Sequence, residues 1–333
     1  MNPDRVTMLD VARKAGVARS TVSRALRNDP AIPQKRCAEI KTIAEKLGYA
    51  PHPMVATLMS QLHSRRRRSD PFCIAWIDLW PRGSAAVSVP YWDTHLAGAR
   101  QRAAELGYGV EVWQPEADGV SPARLRQILA ARDQWGIIFP PVPETAIRYD
   151  FDLRGFSAVT IGTSLQAPAM HRVSHNHFQG IQLACDRLRA KGYERIGFVS
   201  SLAGNARING KWLAAFLERQ LHWPATHRIR PLMVKTGRDG REAVKRWLCE
   251  KRPDVIVCGD QQAAAWLGTH RRFPRVVWLT LGGNNNKLWG INQLPEVVGR
   301  AAVELAVGQI HRNERGSQTP THNLLIDGTW VED

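Results

Sequence analysis

The side chains best suited to chemistry lie near the start of the chain. Arg19, Ser20, Thr21, Ser23 and Arg24 fall within six consecutive positions, with no carboxylate, histidine or cysteine among them. That set suits recognition, not acid–base or nucleophilic catalysis. An arginine can grip guanine O6 and N7 bidentately in a major groove. Hydroxyls and further arginines bind phosphate oxygens, which sets orientation without reading sequence. The charge distribution agrees. Residues 1–68 carry 14 Lys/Arg against 5 Asp/Glu, and the rest of the chain carries 32 against 25. The first fifth of the chain therefore holds more than half of a formal net charge of +16, as expected for a polyanion partner.

Two short helices must position these groups. The first is predicted over residues 8–14, opened by Thr7 with Asp10 three positions on, a capping-box-like start. The second is predicted over residues 19–26, after a turn containing Gly16. Leu9, Val11, Ala12, Val17, Val22 and Leu26 are expected to pack the pair together and against a third helix, leaving Arg19, Ser20, Ser23 and Arg24 outside. Ile32-Pro33 opens that third helix, with proline in the first helical position. Its apolar face is Ala38, Ile40, Ile43, Ala44 and Leu47, Gly48 stops it, and Tyr49 folds back onto the head. A helix as short as the second can lie in a major groove with its first residues at base edges.

This stretch closely resembles the N-terminal helix-turn-helix of the lac repressor (LacI/GalR) family of bacterial transcription regulators. Leu9-Asp10-Val11-Ala12, Ala15-Gly16-Val17 and Thr21-Val22-Ser23-Arg24 sit at the family's spacing. Ala18 departs from it, because the family usually has a capping Ser there, a loss of about 1 kcal/mol. The resemblance implies DNA contacts from Thr7, Arg19, Ser20, Thr21, Ser23 and Arg24. It also makes residues 51–70 a hinge and basic linker. In the family the hinge is helical on operator DNA, and a leucine from each subunit of a dimer wedges a central base step from the minor groove. Leu58 matches that leucine. Arg65 and Arg66, in a four-arginine run, are expected phosphate contacts, adding affinity and salt dependence without sequence information.

From Phe72 onward short apolar runs alternate with amphipathic helical segments, so parallel sheets are expected. Leu106-Gly107-Tyr108 before one strand recurs as Lys191-Gly192-Tyr193 before another, which suggests two similar α/β lobes, split near residue 163 and again near 290. Ligands in such folds bind in the crevice at the carboxyl ends of the strands. The arrangement resembles the family's effector domain, which has the periplasmic sugar-binding-protein fold. The body is divergent. The strand over residues 276–281 leads to Gly282-Gly283 instead of the usual Asp-bearing loop, and His175-Asn176 stands where Asp-Asn is usual. The resemblance places Asp78, Trp80, Trp92, Arg207, Asp260 and Gln293 where the family contacts its small molecule. Tryptophan stacks on sugar rings while Asp and Arg hydrogen-bond hydroxyls, so the set suits a carbohydrate.

The expected fold class is a small all-α head and hinge helix (residues 1–50 and 51–70) joined to an α/β two-lobed periplasmic-binding-protein-like domain with parallel sheets (71–333). The expected function is a sequence-specific, effector-controlled transcriptional regulator, a repressor, acting as a homodimer on double-stranded operator DNA. The alternative is an effector-independent architectural DNA-binding protein with a vestigial body. No dinucleotide, P-loop or nucleophile-elbow motif is present, so no catalytic residue and no cofactor is expected. Cys37, Cys73, Cys185, Cys249 and Cys258 show neither metal nor disulfide spacing. His171, His175 and His177 are read as loop polarity, not as a metal site. No apolar run is long enough to span a bilayer, and no signal peptide is read at the start. A cytoplasmic, nucleoid-associated protein is expected.

Overall fold

Eight side chains close the core of the head. Val11, Ala12 and Ala15 from α1 (Met8–Ala15), Val22 and Ala25 from α2 (Arg19–Leu26), and Cys37, Ile40 and Ala44 from α3 (Gln34–Lys46) are all buried. The computed structural model describes residues 6–26, 29, 32–49, 72–80, 90–142, 147–235, 238–259, 266–267, 275–281 and 289–332. The expected hinge with Leu58, Arg65 and Arg66 lies outside them. So do Asp260, the Trp92 side chain and most of the helix expected before Leu267.

The start of α1 is held by the Asp10 carboxylate, which accepts from the Thr7 backbone N–H at 2.9 Å and from its hydroxyl at 2.6 Å. Gly16 ends the helix at φ +65°, a left-handed conformation in which glycine has no Cβ penalty. Two expectations for the head fail. Leu9 is 54% exposed, because its neighbours Val11 and Ala12 take the buried side of this short helix. On α3, Cys37 is buried and Ala38 exposed, because the helix begins at Gln34 with Pro33 as its cap. Tyr49 does fold back against the head core.

The first lobe contains β1 (Phe72–Ile77), α4 (Pro90–Glu105), β2 (Tyr108–Trp113), α5 (Pro115–Asp118), α6 (Pro122–Ala131) and β3 (Gly136–Phe139). It continues through β4 (Ile147–Arg148), β5 (Ser157–Ile161), β6 (Leu165–Ala167) and β7 (His171–His175). The second contains α7 (His177–Ala190), β8 (Ile196–Ser201), α8 (Leu202–Arg207), α9 (Lys211–Leu221), β9 (Leu232–Val234), α10 (Arg238–Lys251), β10 (Val255–Cys258), β11 (Arg275–Leu281) and β12 (Gly290–Asn292). The chain then returns through α11 (Pro295–Arg312) and β13 (Asn323–Ile326) to the first lobe, and through β14 (Thr329–Val331) to the second. The sheets run β13-β7-β5-β3-β1-β2 and β14-β12-β11-β10-β8-β9. Every pairing in them is parallel except β12 with β14.

Strand residues alternate between two cores. Ile74, Trp76, Ile138, Val159 and Ile161 face α4 and α11, while Ala75, Ile77, Ile137, Phe139 and Ala158 join Leu125, Leu129 and Phe156. A sheet covered on both faces needs such continuous apolar runs, which is why these strands were readable. Three features differ from expectation. The lobes divide after residue 175, not near 163, because β7 still pairs with β5; the chain crosses again at 293–294 and 327–328. The helix expected over residues 208–219 starts at Lys211, because Asn209 (φ +55°) and Gly210 (φ +71°) form a left-handed turn after a separate α8. The three histidines are not loop polarity: His171 and His175 lie on β7, His177 opens α7, and all are buried.

Two crossings meet in a buried polar cluster. The His175 Nδ1–H donates to the Gln293 carbonyl, which leaves Nε2 as an acceptor. His95 Nε2 on α4 lies 3.3 Å away and must donate to it. The Gln293 amide donates to the Leu279 carbonyl and faces His177 Nδ1 at 3.4 Å. Burial lowers the pKa of His175 to about 4 and that of His177 well below 6.5. Beside this cluster α4 and α11 cross at two glycines. A Cβ on Gly98 would sit 2.1 Å from the Glu296 carbonyl oxygen, and one on Gly299 would sit 2.0 Å from that of His95.

Gly299→Ala should therefore lower stability by about 1–3 kcal/mol in urea titration, although alanine favours a helix interior by about 0.5–1 kcal/mol. The histidines set a pH dependence. Both titrate near 6.5 when unfolded but stay neutral below that when folded. Stability is complete above pH 6.5 and falls as the unfolded chain gains protons below it. His175 alone should contribute a loss of about 2 kcal/mol between pH 7 and pH 5. His175→Gln should flatten that slope in thermal unfolding; an unchanged slope would contradict the assignment.

Candidate functional site

The exposed end of α2 is set by what its other side buries. Val22 and Ala25 are fully buried in the head core, while Arg19 and Ser20 at the first positions are exposed. Thr21 and Ser23 are partly buried. The Ala18 carbonyl accepts from the Thr21 and Val22 N–H groups at 2.9 and 3.1 Å, so the first turn closes on backbone alone. An alanine cap offers these amides no side-chain acceptor of its own. Arg24 faces out, as expected. Its Nε also donates to Asp29 at 2.8 Å, which ties the end of α2 to the segment leading into α3. Thr7 is exposed, but its hydroxyl already serves Asp10.

A second site lies between the lobes, at the carboxyl ends of their strands. Asp78 and Trp80 follow β1. Asp78 accepts from the Trp80 backbone N–H at 3.0 Å and from the Gln114 amide at 3.3 Å. The Trp80 indole N–H donates to the Pro141 carbonyl after β3 at 2.7 Å, so its ring is anchored across the strand ends. Arg207, at the end of α8 in the other lobe, lies 5.9 Å from that ring, within cation–π range. The Thr163 hydroxyl after β5 donates to the Arg207 carbonyl at 2.6 Å and so bridges the lobes. Burial raises the pKa of Asp78, opposed by the two hydrogen bonds it accepts. It lowers that of Arg207.

Asp78, Trp80 and Arg207 are thus brought to one place. Gln293 is buried in the crossover, its amide engaged with Leu279 and His177, and is not on an open wall. Trp92 is on α4; its side chain and Asp260 lie outside the described residues.

Three residues at the cleft were missed in the sequence: Thr163, Arg172 and Lys211. Arg172 Nη1 donates to the Gly162 carbonyl beside Thr163 at 3.2 Å. Lys211 opens α9, and its charge and that of Arg172 are close enough for the arginine to lower the lysine's pKa, after burial. Signals existed for both. Arg172 is a cation inside an otherwise buried strand, and Lys211 is a cation at a helix N-terminus, where the dipole opposes it. Among the described residues, no group of His, Cys, Asp and Glu could hold a metal ion, and no helix is long and apolar enough to cross a membrane.

Comparison with known proteins agrees with both parts. Residues 7–52 match the family described as bacterial regulatory proteins, lacI family. The lactose operon repressor of Escherichia coli (strain K12) is 27% identical over 234 residues, 66% of this chain and 61% of its own length, so that match spans about three fifths of the relative. The HTH-type transcriptional regulator CelR of Thermobifida fusca is 24% identical over 353 residues, 97% of this chain and 96% of its own. Among solved structures, a CelR–cellobiose complex superposes with a TM-score of 0.55 at 20% identity. A lac repressor dimer bound to operator and an anti-inducer gives 0.54 at 18%. Each covers 98% of both chains. The structural likeness bears on the fold, and the family model on the helix-turn-helix. Residues 7–52 thus match the helix-turn-helix of the bacterial regulatory proteins, lacI family, and the two-lobed α/β body that follows shares the fold of these solved structures.

Proposed function

We propose that this protein is a repressor that binds a roughly palindromic operator as a homodimer and releases or holds it according to a small carbohydrate in the cleft. The observation that carries the reading is the exposure of Arg19 and Ser20 at the start of α2 while Val22 and Ala25 lock the same helix into the head. Arg19 reads guanine in the major groove and Ser20 an adjacent base edge. Thr21, Ser23 and Arg24 orient the helix on phosphate or neighbouring bases, and Thr7 contacts the backbone beside them. Leu58 wedges the centre of the site, with Arg65 and Arg66 on flanking phosphates. The protein acts in the cytoplasm, at the nucleoid.

The cleft reading rests on the placement of Trp80, Asp78 and Arg207 at facing strand ends, and on the cellobiose held by the related CelR structure. Trp80 supplies a face for a sugar ring. An effector that favours one arrangement of the lobes shifts the population of the DNA-binding state by its difference in affinity for the two arrangements.

The test is selection of bound fragments from sheared genomic DNA at moderate salt. A single palindromic motif is expected. Arg19→Ala should relax one position of it and cost about 1–3 kcal/mol of operator affinity, with random DNA affected less. Leu58→Ala should weaken operator binding while leaving effector binding intact. Broad enrichment without a motif, or equal loss on operator and random DNA in Arg19→Ala, would overturn the reading in favour of a DNA-coating protein.

A further inference from the structure

Three cations converge on one side of the cleft from three elements. Arg172 projects from β7 in the first lobe, and Arg207 ends α8 and Lys211 opens α9 in the second. Thr163 joins them, bonded to the Arg207 carbonyl, while Arg172 bonds to the carbonyl of Gly162 one residue earlier. Arg172 and Lys211 are both partly buried, and neither makes an ion pair with a carboxylate among the described residues. Their pKa values are lowered by burial, and for Lys211 also by Arg172.

Such an arrangement is unfavourable on its own. Burying unpaired charge is costly unless something compensates it. Like charges brought together add to that cost, and so does a lysine at the positive end of an eleven-residue helix with no acidic residue in its first turn. The same features make the spot attractive to an anion: two forked or pointed donors, a helix N-terminus and a shielded setting in which Coulomb attraction is stronger than in water. Trp80 beside Arg207 supplies the apolar face for the remainder of the ligand. A neutral sugar would leave Arg172 and Lys211 without a carboxylate among the described residues.

We infer that the effector is an anionic carbohydrate, a phosphorylated or carboxylated sugar whose charged group sits between Arg172 and Lys211 while its ring lies against Trp80. This rests on the reading of the cleft as an effector site and names the chemical class that the site selects. Arg172 and Lys211 are then specificity-determining residues, distinct from Arg207, which the family resemblance had already marked.

The experiment is thermal unfolding of the full-length protein with defined probes: inorganic phosphate against sodium chloride at matched ionic strength, then glucose 6-phosphate, gluconate, glucose and cellobiose. Phosphate is expected to raise the Tm beyond the chloride control. Glucose 6-phosphate or gluconate should raise it further, the pair distinguishing a phosphoryl from a carboxylate group. In Arg172→Gln and in Lys211→Gln the anion response should fall at least tenfold in apparent affinity. Ligand-free Lys211→Gln should melt no lower than the parent, because a like-charge contact is relieved, which also shows that the variant folds. Arg19→Ala should keep the full phosphate response, separating the cleft from the DNA-binding head. If glucose or cellobiose stabilises as well as its charged counterparts, the effector reading stands and the anionic assignment falls. If no probe of either kind shifts the Tm while operator binding is intact, the effector reading falls and takes this one with it.

Discussion

The crossover between the lobes is the constraint on which the body depends. Two parallel sheets with covered faces cannot share strands, so the chain must pass between them, and each passage takes polar backbone through the interior. Here His175 and Gln293 satisfy one another across two passages, while His95 and His177 close the remaining valences. Unsatisfied polar groups in that position would cost about 1–3 kcal/mol each. Burial keeps His175 and His177 neutral. The glycine contact of α4 with α11 serves the same end, because it brings His95 close enough to reach β7.

The cleft inherits its geometry from that arrangement. Strand ends from both sheets face each other only because the crossings set the lobes there, and the hydroxyl of Thr163 bonding to the Arg207 carbonyl spans the gap. Side chains anchored in this way are preorganised. Trp80 is pinned by Pro141, and Asp78 is engaged by Trp80 and Gln114 before any ligand arrives. The cations, Arg172 from the first lobe and Lys211 from the second, contrast with this. Among the described residues, Arg172 and Lys211 make no ion pair with a carboxylate. The head follows a simpler logic. Three short helices share one small core, and the first residues of α2 that it leaves out, Arg19 and Ser20, are exposed.

Much of this was legible beforehand, for identifiable reasons. The helix-turn-helix is local: capping by Asp10, the left-handed turn at Gly16 and the apolar spacing of Val11, Ala12 and Val22 are all written within a few residues of each other. The buried strands were legible because a sheet covered on both faces demands uninterrupted apolar runs, as at Ile137-Ile138-Phe139. Strand β7 was not, because His171-Arg172-Val173-Ser174-His175 carries polar groups whose partners lie far away in the chain. The C-terminal strands were missed for the related reason that each serves as the edge of a different sheet.

The sequence by itself therefore determined the character of the head, the alternation of strands and helices, the location of excess positive charge and the absence of the common enzymatic motifs. These depend on neighbours in the chain, where the periodicity of a helix or strand fixes which residues share a face. Only the tertiary structure decided where the lobes divide, that the histidines are a buried joint instead of loop polarity, that Gln293 is engaged in the crossover, and that Arg172 and Lys211 meet beside Arg207. Those outcomes depend on contacts between residues far apart in the chain, and on desolvation, which no local pattern records.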